Sequence, residues 1–519
     1  MARFRVVSKH QVSGWRFLLR RIEHALVRRD ASMLDDPQRG RSTALMIGFA
    51  LACVGVAGAA VLAFFSPAKN VGDSPIVADK DSGALFVHMG GRMYPALNLT
   101  SARLITGQAA DPVRVGSAEL AKYPRGPWVG IPGAPGHMVG TSDRDSFWAV
   151  CDRARGGAAA TVDPQAGVPM ASTAPVHTTA IGGRLTVDGS AARELGADEA
   201  RLMRNGRTIW LVYRDGENGA VRAMIDLADS AVTLALGLDA TAPVMPASAG
   251  LIEAIPEVPA LRVPEVPEFG TPTTFSTGLT VPVGSVLTVA QPDRGAQYYL
   301  VSQSGAVRVS PVLAAMVRNA DVQGSISSQT VSPSVIAANL RPGNWPGTAH
   351  YPDRPVRLVD TSTHAVTCLS WERLDTEPRA IVGLLVGRQL PLAADEQRLP
   401  VTLVTAAGSA GRTADAAYLP RTTGRFIQVT GDDPGSGLRE SLWWVSDSGV
   451  RYGLALEAGR DPSADPTLRS LNLGSPVPAP WSIVSLFAVG PTLSQVDARI
   501  QHDGISANDT GAGFGGDGR

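Results

Sequence analysis

Residues 44–65 read ALMIGFALACVGVAGAAVLAFF, and no charged side chain interrupts them. At about 1.5 Å of rise per residue, roughly 22 helical residues match the ~30 Å hydrocarbon core of a bilayer. The run therefore predicts one transmembrane helix. A secretory signal peptide is the rival reading, with Ala60 and Ala63 mimicking a cleavage site. Signal peptides have a shorter apolar region nearer the start, with no long basic tail ahead of it.

The flanks set the orientation. Arg3, Arg5, Lys9, Arg16, Arg20, Arg21, Arg28, Arg29, Arg39 and Arg41 precede the run. Lys69 and Lys80 follow it, beside Asp73, Asp79 and Asp81. Positive flanks stay in the cytosol. The tail 1–43 is then cytosolic, and the bulk of the chain from residue 66 lies outside. Within the run, Ala44, Gly48 and Ala52, then Gly55 and Ala59, recur at a spacing that lets a second helix approach closely in lipid.

Working toward the N-terminus, residues 8–30 predict an amphipathic helix. Val12, Trp15, Leu19, Ile22 and Leu26 alternate steps of three and four and fall on one stripe. Arginines occupy much of the remainder. A tail of roughly forty residues has no core in which to bury that stripe. Its two candidate partners are an anionic bilayer surface and another protein.

Working toward the C-terminus, a degenerate unit recurs: apolar strand, turn, second strand, helix. It reads LFVHMGGRMYPALNL from Leu85, WLVYRDGENGAVRAMI from Trp210, YYLVSQSGAVRVS from Tyr298 and LWWVSDSGVRYGL from Leu442. Gly90/Gly91, Gly216, Gly305 and Gly449 are the expected turn glycines. A lone hairpin is marginal, so each needs a helix or a neighbour packed on it. The domains expected are repeat 1 at 66–140, repeat 2 at 208–270, repeat 3 at 271–350 and repeat 4 at 441–505. The stretches 141–207 and 351–440 are expected to meet as one central domain. Residues 256–270, PEVPALRVPEVPEFG, read as an exposed connector, and 506–519 as a disordered tail. The fold class is α+β: one N-terminal transmembrane helix, then an elongated ectodomain of β-hairpin/helix repeats around a central disulfide-linked domain.

Three cysteines bear on this. Cys53 lies in the apolar run, while Cys151 and Cys368 fall in the two central stretches, each near a tryptophan. In an oxidising compartment such a pair forms a disulfide; otherwise both are buried thiols.

Composition excludes several functions. Lys plus Arg and Asp plus Glu both number 47, so the chain carries no basic nucleic-acid footprint. With 55 glycines and 38 prolines, many short elements are expected rather than long helices. Lysine occurs only at positions 9, 69, 80 and 122, and none follows a glycine, so no phosphate-binding loop is present. The glycine run 124–136 is interrupted by prolines that lack the N–H groups a phosphate cradle uses. No zinc-hydrolase spacing and no nucleophile elbow occur. Asp432 and Asp433 sit in a turn-forming Gly-Asp-Asp-Pro-Gly. No catalytic, cofactor or metal residue is assigned.

With these parts in place, the chain resembles EccB, the single-pass core component of the mycobacterial type VII (ESX) secretion membrane complex. The resemblance rests on SKHQVSGWRF at 8–17, IVADKDSGAL at 76–85, YPALNLTSARLI at 94–105, PRG at 124–126 with GIPGAP at 130–135, and ESLWWV at 440–445. It implies an inner-membrane protein that assembles with EccC, EccD and EccE, pairs with a second EccB through its ectodomain, and carries a Cys151–Cys368 disulfide. It also brings a rival reading, since some EccB proteins are labelled ATPases, a label that no motif here supports. A membrane-anchored cell-wall-binding protein is the remaining alternative.

Overall fold

The computed structural model describes residues 8–29, 38–64, 71–154, 176–216, 219–239, 241–291, 295–404, 412–431, 433–456 and 464–504. The expected disordered tail 506–519 lies outside the described residues. The chain forms two units, Met1–Asn70 and Val71–Arg519.

Among the described residues the first unit holds two helices. Lys9–Arg28 starts at a capping box: Gln11 N–H donates to Ser8 Oγ, and Ser8 N–H donates to Gln11 Oε1. Both ends of the motif satisfy N–H groups that a helix start leaves free. It ends where Arg29 turns left-handed at φ 54°. Gln38–Phe64 runs for 27 residues and contains positions 44–64 of the apolar run. Its side chains are described only for 43–59. Among the described residues no helix is long and apolar enough to cross a membrane.

The second unit is mixed α+β, with six sheets among the described residues. Four of them share one plan. Three antiparallel strands are followed by a helix, a strand parallel to the first, a short helix, and a strand parallel to the third. The first copy runs Ile76–Asp79, Leu85–Met89, Arg92–Ala96, helix Leu99–Thr106, Val113–Val115, helix Ser117–Leu120 and Trp128–Val129. The second runs from Glu199–Asn205 to Glu257–Leu261, and the third from Val286–Gln291 to Leu340–Arg341. The fourth runs from Gly424–Thr430 to Ala488–Val489. Parallel neighbours need a crossover, and the two helices of each copy supply it. Gln501–His502 then pairs with Trp128–Val129, returning the chain to the first copy.

Two local expectations are corrected. The proline-rich stretch after Pro256 is not a free connector: Glu257–Leu261 is an edge strand of the second sheet, with Leu261 buried. An edge strand tolerates Pro259 because its outward side needs no N–H donor. Pro259 C=O instead accepts from the His350 ring at 3.0 Å. In the second hairpin the left-handed glycine is Gly219 (φ 75°), not Gly216. A Cβ on Gly219 would stand 2.7 Å from the Val382 carbonyl oxygen, so only glycine fits.

A seven-stranded sheet occupies the centre. Its order is Val401–Thr402, Ala416–Tyr418, Val176–Ile181, Ser146–Ala154, Val366–Arg373, Ile381–Gly387 and Ala192–Glu194. One face packs on the second and fourth copies through Trp148, Leu369 and Val386 against Leu251, Ile255, Ile427 and Ile483. The second and third copies share a core through Leu211, Leu236, Leu300 and Leu313. The first and fourth do so through Val87, Leu104, Trp444 and Leu468.

Candidate functional site

Among the described residues no cluster of chemically active side chains stands out. Among the described residues no group of three or more His, Cys, Asp and Glu is placed to hold a metal. Asp433 Oδ1 accepts from Gly435 N–H at 2.6 Å, which is turn chemistry. In the glycine run, a Cβ on Gly126 would strike the Tyr94 ring, and Gly130 N–H donates to Ile500 C=O. These backbone groups serve packing. The features that merit description are an apolar helix face, a line of small residues and a cross-strand disulfide.

The tail helix displays its stripe. Val12, Trp15, Leu19, Ile22 and Leu26 are all exposed, Trp15 at 64% and Leu26 at 78%. Leu18 widens the stripe, since it sits three residues from Trp15 and four from Ile22. Phe17 is exposed too, at 54%, yet helical rotation of 100° per residue places it on the opposite side with Arg21. A stripe search misses it because it belongs to no step of three or four. The helix thus has one broad apolar face and an aromatic on its basic side. On the second helix, Ala44, Gly48, Ala52, Gly55 and Ala59 fall within a narrow angular sector. A Cβ added at Gly48 or Gly55 would meet nothing within 4 Å.

In the central sheet, Cys151 and Cys368 stand directly opposite on adjacent antiparallel strands and are disulfide-bonded. Their Cα atoms are 4.0 Å apart, the close spacing of a pair without mutual backbone hydrogen bonds. Both are fully buried, beside Ala149, Ile181, Leu385 and Tyr418. The bond closes a segment of 217 residues.

The neighbouring Asp152 points to the other face, where it ties the sheet to the second copy. Its carboxylate accepts from Ser248 N–H at 2.7 Å, Ser248 Oγ–H at 2.8 Å and Thr178 Oγ1–H at 2.8 Å. Ser248 also caps the helix Ala249–Ala254. Burial pushes the Asp152 carboxyl up to about 6, outweighing these hydrogen bonds, and Asp415 adds to the rise. The Arg201 guanidinium is likewise buried and lowered to about 10 by desolvation. It donates to the His364 carbonyl at 2.5 Å.

Comparison with known proteins gives these features a context. The family model described as type VII secretion system ESX-1, transport TM domain B, matches residues 4–507. The ESX-3 secretion system ATPase EccB3 of Mycolicibacterium smegmatis is 40% identical over 513 residues, covering 98% of this chain and 93% of that protein. The ESX-1 secretion system ATPase EccB1 of Mycobacterium tuberculosis is 35% identical, covering 97% and 96%. Among solved structures, a chain of an intact ESX-5 inner membrane complex aligns with a TM-score of 0.73 at 35% identity, covering 99% of each chain. The EccB3 dimer from the ESX-3 core complex aligns with a TM-score of 0.68 at 37% identity, covering 82% of this chain and 100% of that one. On that coverage and identity, the chain belongs to the EccB family of type VII (ESX) secretion systems.

Proposed function

We propose that this chain is the structural core subunit of a type VII (ESX) secretion membrane complex. It assembles with EccC, EccD and EccE and contributes the periplasmic part of the machine. The observation that carries this reading is its match, over 99% of its length, to a chain of an intact ESX-5 inner membrane complex. Helix Gln38–Phe64 crosses the inner membrane once, with the N-terminus cytosolic and the unit from Val71 periplasmic. The basic flank at 3–41 supports that orientation. The small-residue line faces a neighbouring helix, and the tail stripe docks on a cytosolic subunit. Two copies pair through the periplasmic unit, as the EccB3 dimer of the ESX-3 core complex suggests. The domain limits given by the sequence serve as the working division of the periplasmic part, with the second and fourth repeats opened at Glu199 and Gly424.

The relatives carry the word ATPase in their names. A phosphate-binding loop is missing from the full sequence, and ATP lies on the opposite side of the membrane from most of the chain. The scaffold reading therefore takes precedence. Its test is mild-detergent extraction of the tagged chain, followed by native electrophoresis and mass spectrometry. Migration in a very large assembly with EccC-, EccD- and EccE-like subunits is expected. Migration alone would overturn the assignment.

A further inference from the structure

A cleft of about 690 Å³ opens between the helix Leu99–Thr106 of the first copy, the connector 137–144 and the loop 472–475 of the fourth. That volume is typical of small-molecule sites. Met138, Phe426, Trp444 and Leu473 supply apolar wall. Three arginines and two aspartates also line it: Arg103, Arg144, Arg425, Asp111 and Asp143.

Most of these charges are already committed. Arg103 donates to Asp111 at 2.8 Å, and Arg144 to Asp375 at 3.0 Å. Asp143 faces Arg184 at 3.7 Å and accepts from Asp145 N–H at 3.0 Å. Arg425 is different. It is only 9% exposed, yet among the described residues no carboxylate lies within ion-pair distance of it. A guanidinium carries five N–H donors. Its hydrogen bond within the protein is to the Asp143 backbone carbonyl, at 3.3 Å. Burial lowers its pKa, and Arg184 adds to the fall, while the Asp143 and Asp145 carboxylates oppose it from beyond ion-pair distance. Such a group is costly unless something completes it.

We propose that this cleft binds a carboxylate monoanion bearing an apolar or aromatic group, with Arg425 as its anchor. The guanidinium fork matches a carboxylate in two parallel hydrogen bonds. The apolar wall receives the rest of the ligand. The lining favours a single negative charge. Three arginines against two aspartates leave one net positive charge among the Arg and Asp side chains that line it, which a monoanion balances and a dianion exceeds. The same chemistry is offered by the C-terminus of a peptide and by a small free acid.

The test is calorimetric titration of the detergent-solubilised full chain. The probes are N-acetylphenylalanine, its amide, phenyl phosphate, and a tetrapeptide ending in phenylalanine as free acid or amide. The acids are expected to bind saturably, at least tenfold tighter than their amides and than phenyl phosphate. Arg425→Gln should weaken the acids at least tenfold, and Arg425→Lys should restore part of that loss. Val139, a cleft-lining residue 51% exposed, provides a second variant should Arg425→Gln lower the melting temperature. Val139→Asp adds a repelling charge without touching the buried wall and should weaken the acids by a similar factor. A peptide acid tighter than N-acetylphenylalanine assigns the site to a chain terminus; the reverse order assigns it to a small acid. Equal binding of acid and amide, no saturable binding, or unchanged acid binding in both folded variants overturns the proposal.

Discussion

Removing the Cys151–Cys368 bond tests the central sheet most directly. In the chain-entropy model, a cross-link closing a loop of 217 residues restricts the unfolded chain by about 5 kcal/mol. Measured gains usually fall below the model, so Cys151→Ala/Cys368→Ala should lose about 3–5 kcal/mol from the sheet. That is a large share of the 5–15 kcal/mol that typically holds a domain together. Hydrogen exchange read by mass spectrometry localises the loss. Peptides covering Ser146–Ala154 and Val366–Arg373 should exchange roughly 10²–10⁴-fold faster. Peptides from the third copy, which does not pack on this sheet, should change little. A Cys53→Ser background removes the remaining thiol. Acceleration below tenfold, about 1.4 kcal/mol, would refute the view that the bond locks these strands.

Other measurements follow from the same structure. Trp15→Asp with Leu19→Asp should remove the chain from the large assembly while leaving the melting temperature of the periplasmic unit unchanged. Loss of both, or of neither, contradicts a docking role for the stripe. Asp152 carries a raised pKa, so its contribution is complete below about pH 4 and is lost as pH rises through about 6. The range is at most about 3 kcal/mol, and Asp152→Asn should flatten the melting profile between pH 4 and 7 relative to the unaltered chain. Parallel profiles would show that the carboxyl does not titrate in this window. Gly219→Ala places a Cβ against the Val382 carbonyl at a positive φ, and a loss of about 2–4 kcal/mol is expected in chemical denaturation. ATP turnover by the purified chain should equal that of the buffer, and turnover abolished by any single substitution in this chain would reopen the enzymatic reading.

Parts of this architecture were legible for identifiable reasons. The hairpins after Leu85 and Leu442 stand out because apolar strands flank a turn glycine in the left-handed region, Gly90/Gly91 and Gly449. The returning parallel strands carry no such signal. Trp128–Val129, Leu340–Arg341 and Ala488–Val489 are too short to show a period of two, and only their partners define them. The opening strands Glu199–Asn205 and Gly424–Thr430 lie in the stretches read as central domain, because their chain neighbours do belong to the central sheet. The cysteine pairing did leave a trace. Trp148 precedes Cys151 by three residues, and Trp371 follows Cys368 by three. Antiparallel register with the cysteines opposite puts the tryptophans opposite as well, as they are. The cleft at Arg425 had no linear signal, since its lining residues span positions 99–477.

The degeneracy of the four copies has a physical source in what each sheet must cover. The second and fourth sheets lie against the central sheet on one face and against a sister copy on the other. The first and third have a sister on one face only. Their second face is closed by small local clusters, around Phe86 and Met93 in the first and Leu287 and Tyr299 in the third. The inner pair shares a device to match. Arg222 stacks over Trp210 at 4.2 Å and donates to the Ile255 carbonyl. Arg451 stacks over Trp443 at 4.9 Å and donates to the Phe487 carbonyl. In both, the arginine lies opposite the residue two positions beyond the tryptophan. In both, the carbonyl belongs to the end of the short helix that packs on the central sheet or to the turn just after it: Ile255 is the C-cap of Ala249–Ala254, and Phe487 follows the Ser485 cap of Trp481–Val484. The arginine thus ties the segment around that helix end to its own hairpin. The outer copies have no central sheet to meet, and their equivalent strands are free to carry Phe86 or Tyr299 instead. Sequence divergence among the copies thus follows inner or outer position, and the inner two share the tryptophan under the arginine.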